Sequence, residues 1–128
     1  MQEAAPDGPT ILVAEDSVEQ RELYASILRN EGYVVLEAGD GDAAVEITRR
    51  MRPDLVLMDV TMPGTSGWNA MRLLKDDPET LSIPIIVITG LSDTWDRDAS
   101  LAAGADEYLA KPLAPARLLE EVRKIVRP

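Results

Sequence analysis

The sequence contains no cysteine, no histidine and no phenylalanine. Without cysteine there is neither a disulfide nor a thiol nucleophile. Without histidine there is no imidazole to act as a general base or to carry a phosphoryl group. Aromatic residues are only 4% of the chain, so a core has to be built from Ile, Leu, Val, Ala and Met. Long hydrophobic runs are missing too. Segments such as Ile85–Ile88 fall far short of the roughly 20 apolar residues that a membrane-spanning helix needs. Residues 1–10 have neither the basic start nor the apolar stretch of a secretory signal, and a cytoplasmic chain is the expectation. Positive charge is scarce: 13 Lys and Arg against 23 Asp and Glu leave a net charge of −10. Nucleic acids and anionic membranes are bound through a positive face, so neither is an expected partner.

What is present suits one domain. The chain has 128 residues, 45% of them hydrophobic, enough for one sizeable core. Short apolar runs alternate with longer amphipathic ones. Ile11–Ala14, Val34–Leu36, Leu55–Met58, Ile85–Ile88 and the shorter Tyr108–Ala110 read as strands. Unbroken apolar character, rather than in-out alternation, is what parallel strands show when helices cover both faces.

The intervening segments read as helices with recognisable ends. Ser17 and Gln20 resemble a capping box, Gly32 is placed to stop that helix, and Leu23, Ile27 and Leu28 are expected on its inner face. A second helix is expected over about 42–51, with Ala44, Val45 and Ile47 available for burial. Ser66 can cap a third, with Met71 and Leu74 facing in. Ser92 or Asp93 can cap a fourth, ended by Gly104. Pro115 suits the first turn of a fifth that carries Leu118, Leu119, Val122 and Ile125, although Ala114 offers no capping side chain. Trp68 reads as a partly buried packing residue and Trp95 as a semi-exposed one. Five βα units imply a doubly wound α/β fold over residues 10–128, with residues 1–9 expected to form a flexible segment.

The informative feature is how the apolar runs end. The first ends in Glu15-Asp16, the third in Asp59, the fourth in Thr89 and the fifth in Lys111. In a parallel sheet those ends share one edge, the edge where open α/β folds hold ligands. Taken singly, Asp16 is an ordinary helix-capping acid, Thr89 a β-branched strand end and Lys111 a surface lysine. Asp59 is harder to dismiss, because an ionised carboxylate straight after Leu-Val-Leu-Met is costly without a partner. Together they offer three carboxylates, a hydroxyl and an ammonium. Crowded carboxylates call for a hard divalent cation bound through oxygen, Mg²⁺ or Mn²⁺. A phosphoryl group needs positioning and charge stabilisation, which Lys111, Thr89 and such a cation would provide. A carboxylate can itself be the nucleophile, and Asp59 is the best candidate.

These residues, with the segments Asp54–Gly64, Ile88–Gly90 and Gly104–Pro112, closely resemble the receiver domain of two-component response regulators. The resemblance runs from about Thr10 to Val126. It implies the five-stranded parallel (βα)5 fold with strand order 2-1-3-4-5, carried over from the chemotaxis regulator that typifies it. It implies Asp59 as phosphoacceptor, served by a sensor histidine kinase or a histidine phosphotransfer protein. Glu15 and Asp16 match the acidic pair at the Mg²⁺ (or Mn²⁺), where Asp16, Asp59, Glu15 and the backbone carbonyl of Thr61 are the implied metal residues, Asp16 ahead of Glu15 as direct ligand. Lys111 pairs with the phosphoryl group and precedes a cis peptide to Pro112. Thr89 and Tyr108 form the conformational switch, biased by the new charge on Asp59. Output is implied through the face formed by the fourth helix, fifth strand and fifth helix, from a monomer or a phosphorylation-dependent dimer. Departures from the family pattern are Glu15, where many members have Asp, and Ser66, often Asp. Thr61 and Leu91 occupy positions associated with the lifetime of the phosphorylated form.

Two other readings compete. A metal-dependent phosphatase of the other aspartyl-phosphate superfamily would open with an Asp-x-Asp pair on its first strand, and this chain has none there. Nor does it have a G-x-x-x-x-G-K-[ST] or G-x-G-x-x-G phosphate loop. A degenerate receiver, acting as a docking module that is never phosphorylated, has no need of the complete set Glu15, Asp16, Asp59, Thr89 and Lys111.

Overall fold

A computed structural model describes residues 8–60, 67–90 and 94–128, without the side chains of 94–96. Strands and helices alternate along the chain: β1 (Thr10–Ala14), α1 (Val18–Asn30), β2 (Val34–Ala38), α2 (Gly41–Met51), β3 (Leu55–Met58), α3 (Gly67–Asp76), β4 (Ile85–Thr89), α4 (Thr94–Ala102), β5 (Glu107–Ala110) and α5 (Pro115–Ile125). The strands form one parallel sheet in the order β2-β1-β3-β4-β5, as expected from the resemblance.

Each central strand divides its side chains between two cores, because successive Cβ atoms point to opposite faces. Ile11, Val13, Leu55, Leu57, Ile86, Ile88 and Leu109 pack with Tyr24, Ala25 and Leu28 of α1 and with Leu118 and Val122 of α5. Leu12, Ala14, Val56, Met58, Ile85 and Val87 pack with Ala44 and Val45 of α2 and with Ala70, Met71 and Leu74 of α3. Both faces are covered, which explains the unbroken apolar runs in the sequence.

Local signals place most helix ends. The Ser17 Oγ accepts the Gln20 N–H at 3.3 Å, but the second half of a capping box is absent, since the Ser17 N–H donates to Glu15 Oε2 at 3.1 Å. Asp40 caps α2 by accepting the Ala43 N–H at 2.8 Å, so that helix starts one residue before the expected Asp42. Gly32 and Gly104 have φ of +103° and +115° just after α1 and α4, where the left-handed backbone favours glycine. α5 opens on Pro115 with no side-chain cap from Ala114. Of the segment 1–9, the carbonyl of Pro9 accepts the Val34 N–H at 3.0 Å, extending the β1–β2 edge by one bond.

One expectation is corrected on α1. Leu23 is 54% exposed, and the buried face is Tyr24, Ala25 and Leu28. The expectation placed Leu23 on one face with Ile27 and Leu28. The face that points inward is instead the one carrying Tyr24, Ala25 and Leu28, which pack into the core. The other expected inward residues hold: Met71, Leu74, Leu118 and Val122 are buried, while Ile47, Trp68, Leu119 and Ile125 are half-buried against the two cores. Ser66, Ser92, Asp93 and the Trp95 side chain lie outside the described residues.

One core hydroxyl is unpaired among the described residues. Thr48 on α2 is 0% exposed, and its Oγ1 has no hydrogen-bond partner. A buried polar group left unsatisfied costs about 1–3 kcal/mol, whereas an apolar isostere of the same shape avoids that cost. Thr48→Val is therefore expected to raise stability by roughly 1 kcal/mol, read as a higher urea midpoint with an unchanged denaturant slope.

Candidate functional site

The ladder of backbone hydrogen bonds continues past the strand ends and carries the acids with it. The Glu15 N–H donates to Ala38 O at 3.0 Å, the Asp59 N–H to Ala14 O at 3.0 Å, and the Lys111 N–H to Thr89 O at 2.8 Å. The sheet's period of two then settles which way they face. Glu15 and Asp59 follow Ala14 and Met58, so they continue the Ile11-Val13 and Leu55-Leu57 side, beneath α1. Lys111 continues the parity of Leu109 on that same side. A small cavity at this spot is lined by Glu15, Asp59, Tyr24, Leu57 and Ile88.

The expected acids do come together. One carboxylate oxygen from each of Glu15, Asp16 and Asp59 lies within 4.8 Å of the others. Glu15 is 3% and Asp59 4% exposed, while Asp16 is open to solvent. Lys111 bridges two of them: its Nζ donates to Glu15 Oε1 at 2.7 Å and to Asp59 Oδ2 at 3.4 Å. The Lys111–Pro112 peptide is cis. Glu15 is longer than Asp by one methylene, and it uses both oxygens on the protein itself, one for Lys111 and one for the Ser17 N–H.

Burial shapes the charges here. It pushes the Glu15 carboxyl above its ordinary range, aided by the negative charge of Asp59, while the hydrogen bonds from Lys111 and Ser17 pull it part of the way back. Burial also works against the Lys111 ammonium. The hydrogen bond to Glu15 and the attraction of Asp59 and Glu15 outweigh that burial and hold Lys111 above its ordinary value. One ammonium among three carboxylates leaves an excess of negative charge. An all-oxygen donor set with one member facing solvent fits a hard divalent cation that keeps some of its waters.

Thr89 and Tyr108 continue the other parity of their strands. Thr89, fully buried, shares parity with Ile85 and Val87, and Tyr108 is half-buried against the same α2/α3-side core. Both lie close to the edge, on adjacent strands, with Thr89 paired to Ala110 and Val87 to Tyr108 in the register. The carbonyl of Thr61, and Pro63, Gly64 and Leu91, lie outside the described residues.

Two residues at the site carried no signal when read singly. Tyr24 lines the cavity, and burial raises its phenol pKa, with Lys111 opposing and Glu15 and Asp59 adding to the shift. Arg21 donates from Nη1 to the backbone carbonyl of Glu15 at 2.8 Å. The helical spacing 17-21-24-28 would have pointed to both.

Comparison with known proteins agrees with the resemblance. Residues 11–123 match the response regulator receiver domain family. The DNA-binding response regulator MtrA of Mycolicibacterium paratuberculosis is 38% identical over 117 residues, covering 91% of this chain and 51% of its own length. This chain thus spans about half the length of the curated relatives it matches. The chemotaxis protein CheY4 of Vibrio cholerae superposes with a TM-score of 0.87 at 26% identity, over 92% of this chain and 98% of that one. The receiver domain of the sensor histidine kinase PA1611 from Pseudomonas aeruginosa PAO1 has a magnesium ion coordinated in its active-site cleft. It superposes with a TM-score of 0.86 at 34% identity, over 92% of this chain and 97% of that one.

The start of α3 lies directly on the strand end that carries Asp59. A Cβ on Gly67 would come 2.3 Å from Asp59 O and 2.4 Å from Val60 Cα, both backbone atoms with little room to give. Gly67→Ala is expected to cost about 1–3 kcal/mol, the usual penalty of overpacking. Urea denaturation measures the loss. Shifted amide resonances at Asp59 and Val60 would locate the strain at the site.

Proposed function

The chain belongs to the response regulator receiver family, and we propose that it is a working phosphoacceptor switch whose acceptor is Asp59. The donor in this reading is a phosphohistidine on a sensor histidine kinase or a histidine phosphotransfer protein, in the cytoplasm. The observation that carries it is the setting of Asp59: a nearly buried carboxylate at a strand end, with the Lys111 ammonium 3.4 Å away and two further acids beside it.

The chemistry follows from these groups. An Asp59 carboxylate oxygen attacks phosphorus as the phosphorus–nitrogen bond breaks, and the departing histidine nitrogen takes up a proton. Most of the rate in such a transfer comes from positioning and electrostatics. Lys111 stands where it can move from Asp59 to a phosphoryl oxygen as negative charge arrives there, while still held by Glu15. Asp16 and Asp59, with the carbonyl of Thr61, would hold Mg²⁺, and Glu15 would stand behind them as the partner of Lys111. Bound there, Mg²⁺ (or Mn²⁺) would offset the charge of the carboxylates and of the phosphoryl oxygens. Hydrolysis of the aspartyl phosphate then resets the switch.

Thr89 and Tyr108 are the proposed readout. They lie on neighbouring strands at the same edge, on the face opposite the acids, and Tyr108 borders a surface cleft lined by β5 and α5 residues and by Arg97 of α4. New charge on Asp59 would draw the Thr89 hydroxyl and free space for Tyr108, changing the α4–β5–α5 face that an output partner or domain reads. With a net charge of −10, this unit is not itself suited to nucleic acid.

Incubation with Mg²⁺ and a small acyl phosphate is expected to leave one acid-labile phosphate on the chain and none on Asp59→Asn. Phosphate retained by that variant would sink the assignment. Sustained turnover of p-nitrophenyl phosphate by the unaltered chain would favour a phosphatase instead.

Lys111→Ala is expected to keep Mg²⁺ binding yet lose the amide shifts that beryllofluoride with Mg²⁺ induces around Thr89 and Tyr108. A full response from that variant would remove Lys111 from the coupling.

A further inference from the structure

We propose that Arg21 is the positioning residue of the acidic pair: its guanidinium holds the peptide carbonyl between Glu15 and Asp16 and thereby sets where both carboxylates stand. The inference rests on the reading of that pair as the metal-binding part of the site.

The backbone of Glu15 is gripped on both sides. Its N–H donates to Ala38 O of β2 at 3.0 Å, and its carbonyl accepts Arg21 Nη1 at 2.8 Å. The guanidinium is itself tethered, because Arg21 Nε donates to Glu37 Oε1 on β2 at 3.3 Å. Glu37 is held in turn by Arg29, whose Nη2 donates to Glu37 Oε2 at 3.2 Å and to Val35 O at 3.0 Å. The Arg21 side chain is 20% exposed, so these bonds form largely out of water. A charge-assisted bond to a carbonyl is strong, and a planar fork that meets two acceptors fixes direction as well as distance.

The neighbouring backbone leaves room for that fork. A Cβ on Gly39, just past the end of β2, would come 3.1 Å from Arg21 Nη1, and Gly39 has no positive φ that would account for a glycine. Absence of a side chain at Gly39 therefore serves the guanidinium. A displacement of the backbone at Glu15 and Asp16 would move both acids at once: Glu15 from Lys111 and the Ser17 N–H, and Asp16 from Asp59. Arg21 opposes that displacement by anchoring the Glu15 carbonyl.

The sign of the effect separates this role from bulk electrostatics. Removing a nearby positive charge should, by Coulomb attraction alone, make a cation bind more tightly. Loss of a positioning group does the reverse, and outer-shell partners of this kind typically carry about 10- to 100-fold in metal affinity.

The test uses the whole chain as Arg21→Ala and as Gly39→Ala, which keeps every atom of Arg21 but crowds its guanidinium. Calorimetric titration with Mg²⁺ at fixed ionic strength is expected to show about 10- to 100-fold weaker binding for Arg21→Ala and a smaller loss for Gly39→Ala. Without metal, amide resonances of Glu15, Asp16 and Ser17 are expected to shift in both variants, and that of Lys111 to follow through Glu15. Equal or tighter Mg²⁺ binding by Arg21→Ala would overturn the proposal, as would unmoved resonances at Asp16 and Lys111. If Arg21→Ala does not fold, Gly39→Ala decides by the same two measurements. If the unaltered chain binds no Mg²⁺, the reading of the metal site fails, and the metal-free resonances still decide whether Arg21 positions the pair.

Discussion

Three crowded carboxylates, two of them bridged by one ammonium, are the constraint on which the rest of this structure turns. Glu15, Asp16 and Asp59 sit close enough that their mutual repulsion has to be met by something, and Lys111 meets only part of it. The cost is deepened by burial of two of the acids, which explains why the Glu15 carboxyl is pushed up while Lys111 is held firmly protonated. A site left with surplus negative charge is one whose state responds to added charge, whether a cation arrives or a phosphoryl group does. That is the physical basis of a switch, and it lies in the resting arrangement.

The parallel sheet then sorts the working groups. Because side chains alternate between faces, Glu15, Asp59 and Lys111 fall under α1 and α5, whereas Thr89 and Tyr108 fall on the α2/α3 side. The charge-bearing groups and the proposed readout groups thus continue opposite parities of the sheet. Adjacent strands β4 and β5 supply the link, since the carbonyl of Thr89 accepts the Lys111 N–H at 2.8 Å. In the proposed switch, a shift of Lys111 toward new charge at Asp59 and a shift of Thr89 would act on one shared stretch of backbone.

α1 does more than cover the sheet. Its cap residue Ser17 gives its N–H to Glu15, Arg21 holds the Glu15 carbonyl and Tyr24 walls the cavity behind Asp59. Successive turns of one helix therefore support one pair of acids. The opposite surface of the same helix leaves Val18 and Leu23 more than half exposed. Leu23 lies outward because the face that packs into the core is the one carrying Tyr24, Ala25 and Leu28.

Much of this protein was legible in its residues before any fold was known. The unbroken apolar runs Ile11–Ala14, Leu55–Met58 and Ile85–Ile88 announce parallel strands buried on both faces, and a polar residue closing each run marks the functional edge, because covalent order alone fixes where a strand ends. Strand order came only through the resemblance, since five βα units permit more than one arrangement. The tertiary structure alone decided the partners: that Lys111 pairs with Glu15 more closely than with Asp59, that Glu15 spends both oxygens on the protein, and that Arg21 and Tyr24 belong to the site. Those contacts join β1 to β5 and α1 to β2, residues as far apart as 15 and 111. Spacing along a chain carries no distance across that gap; packing does.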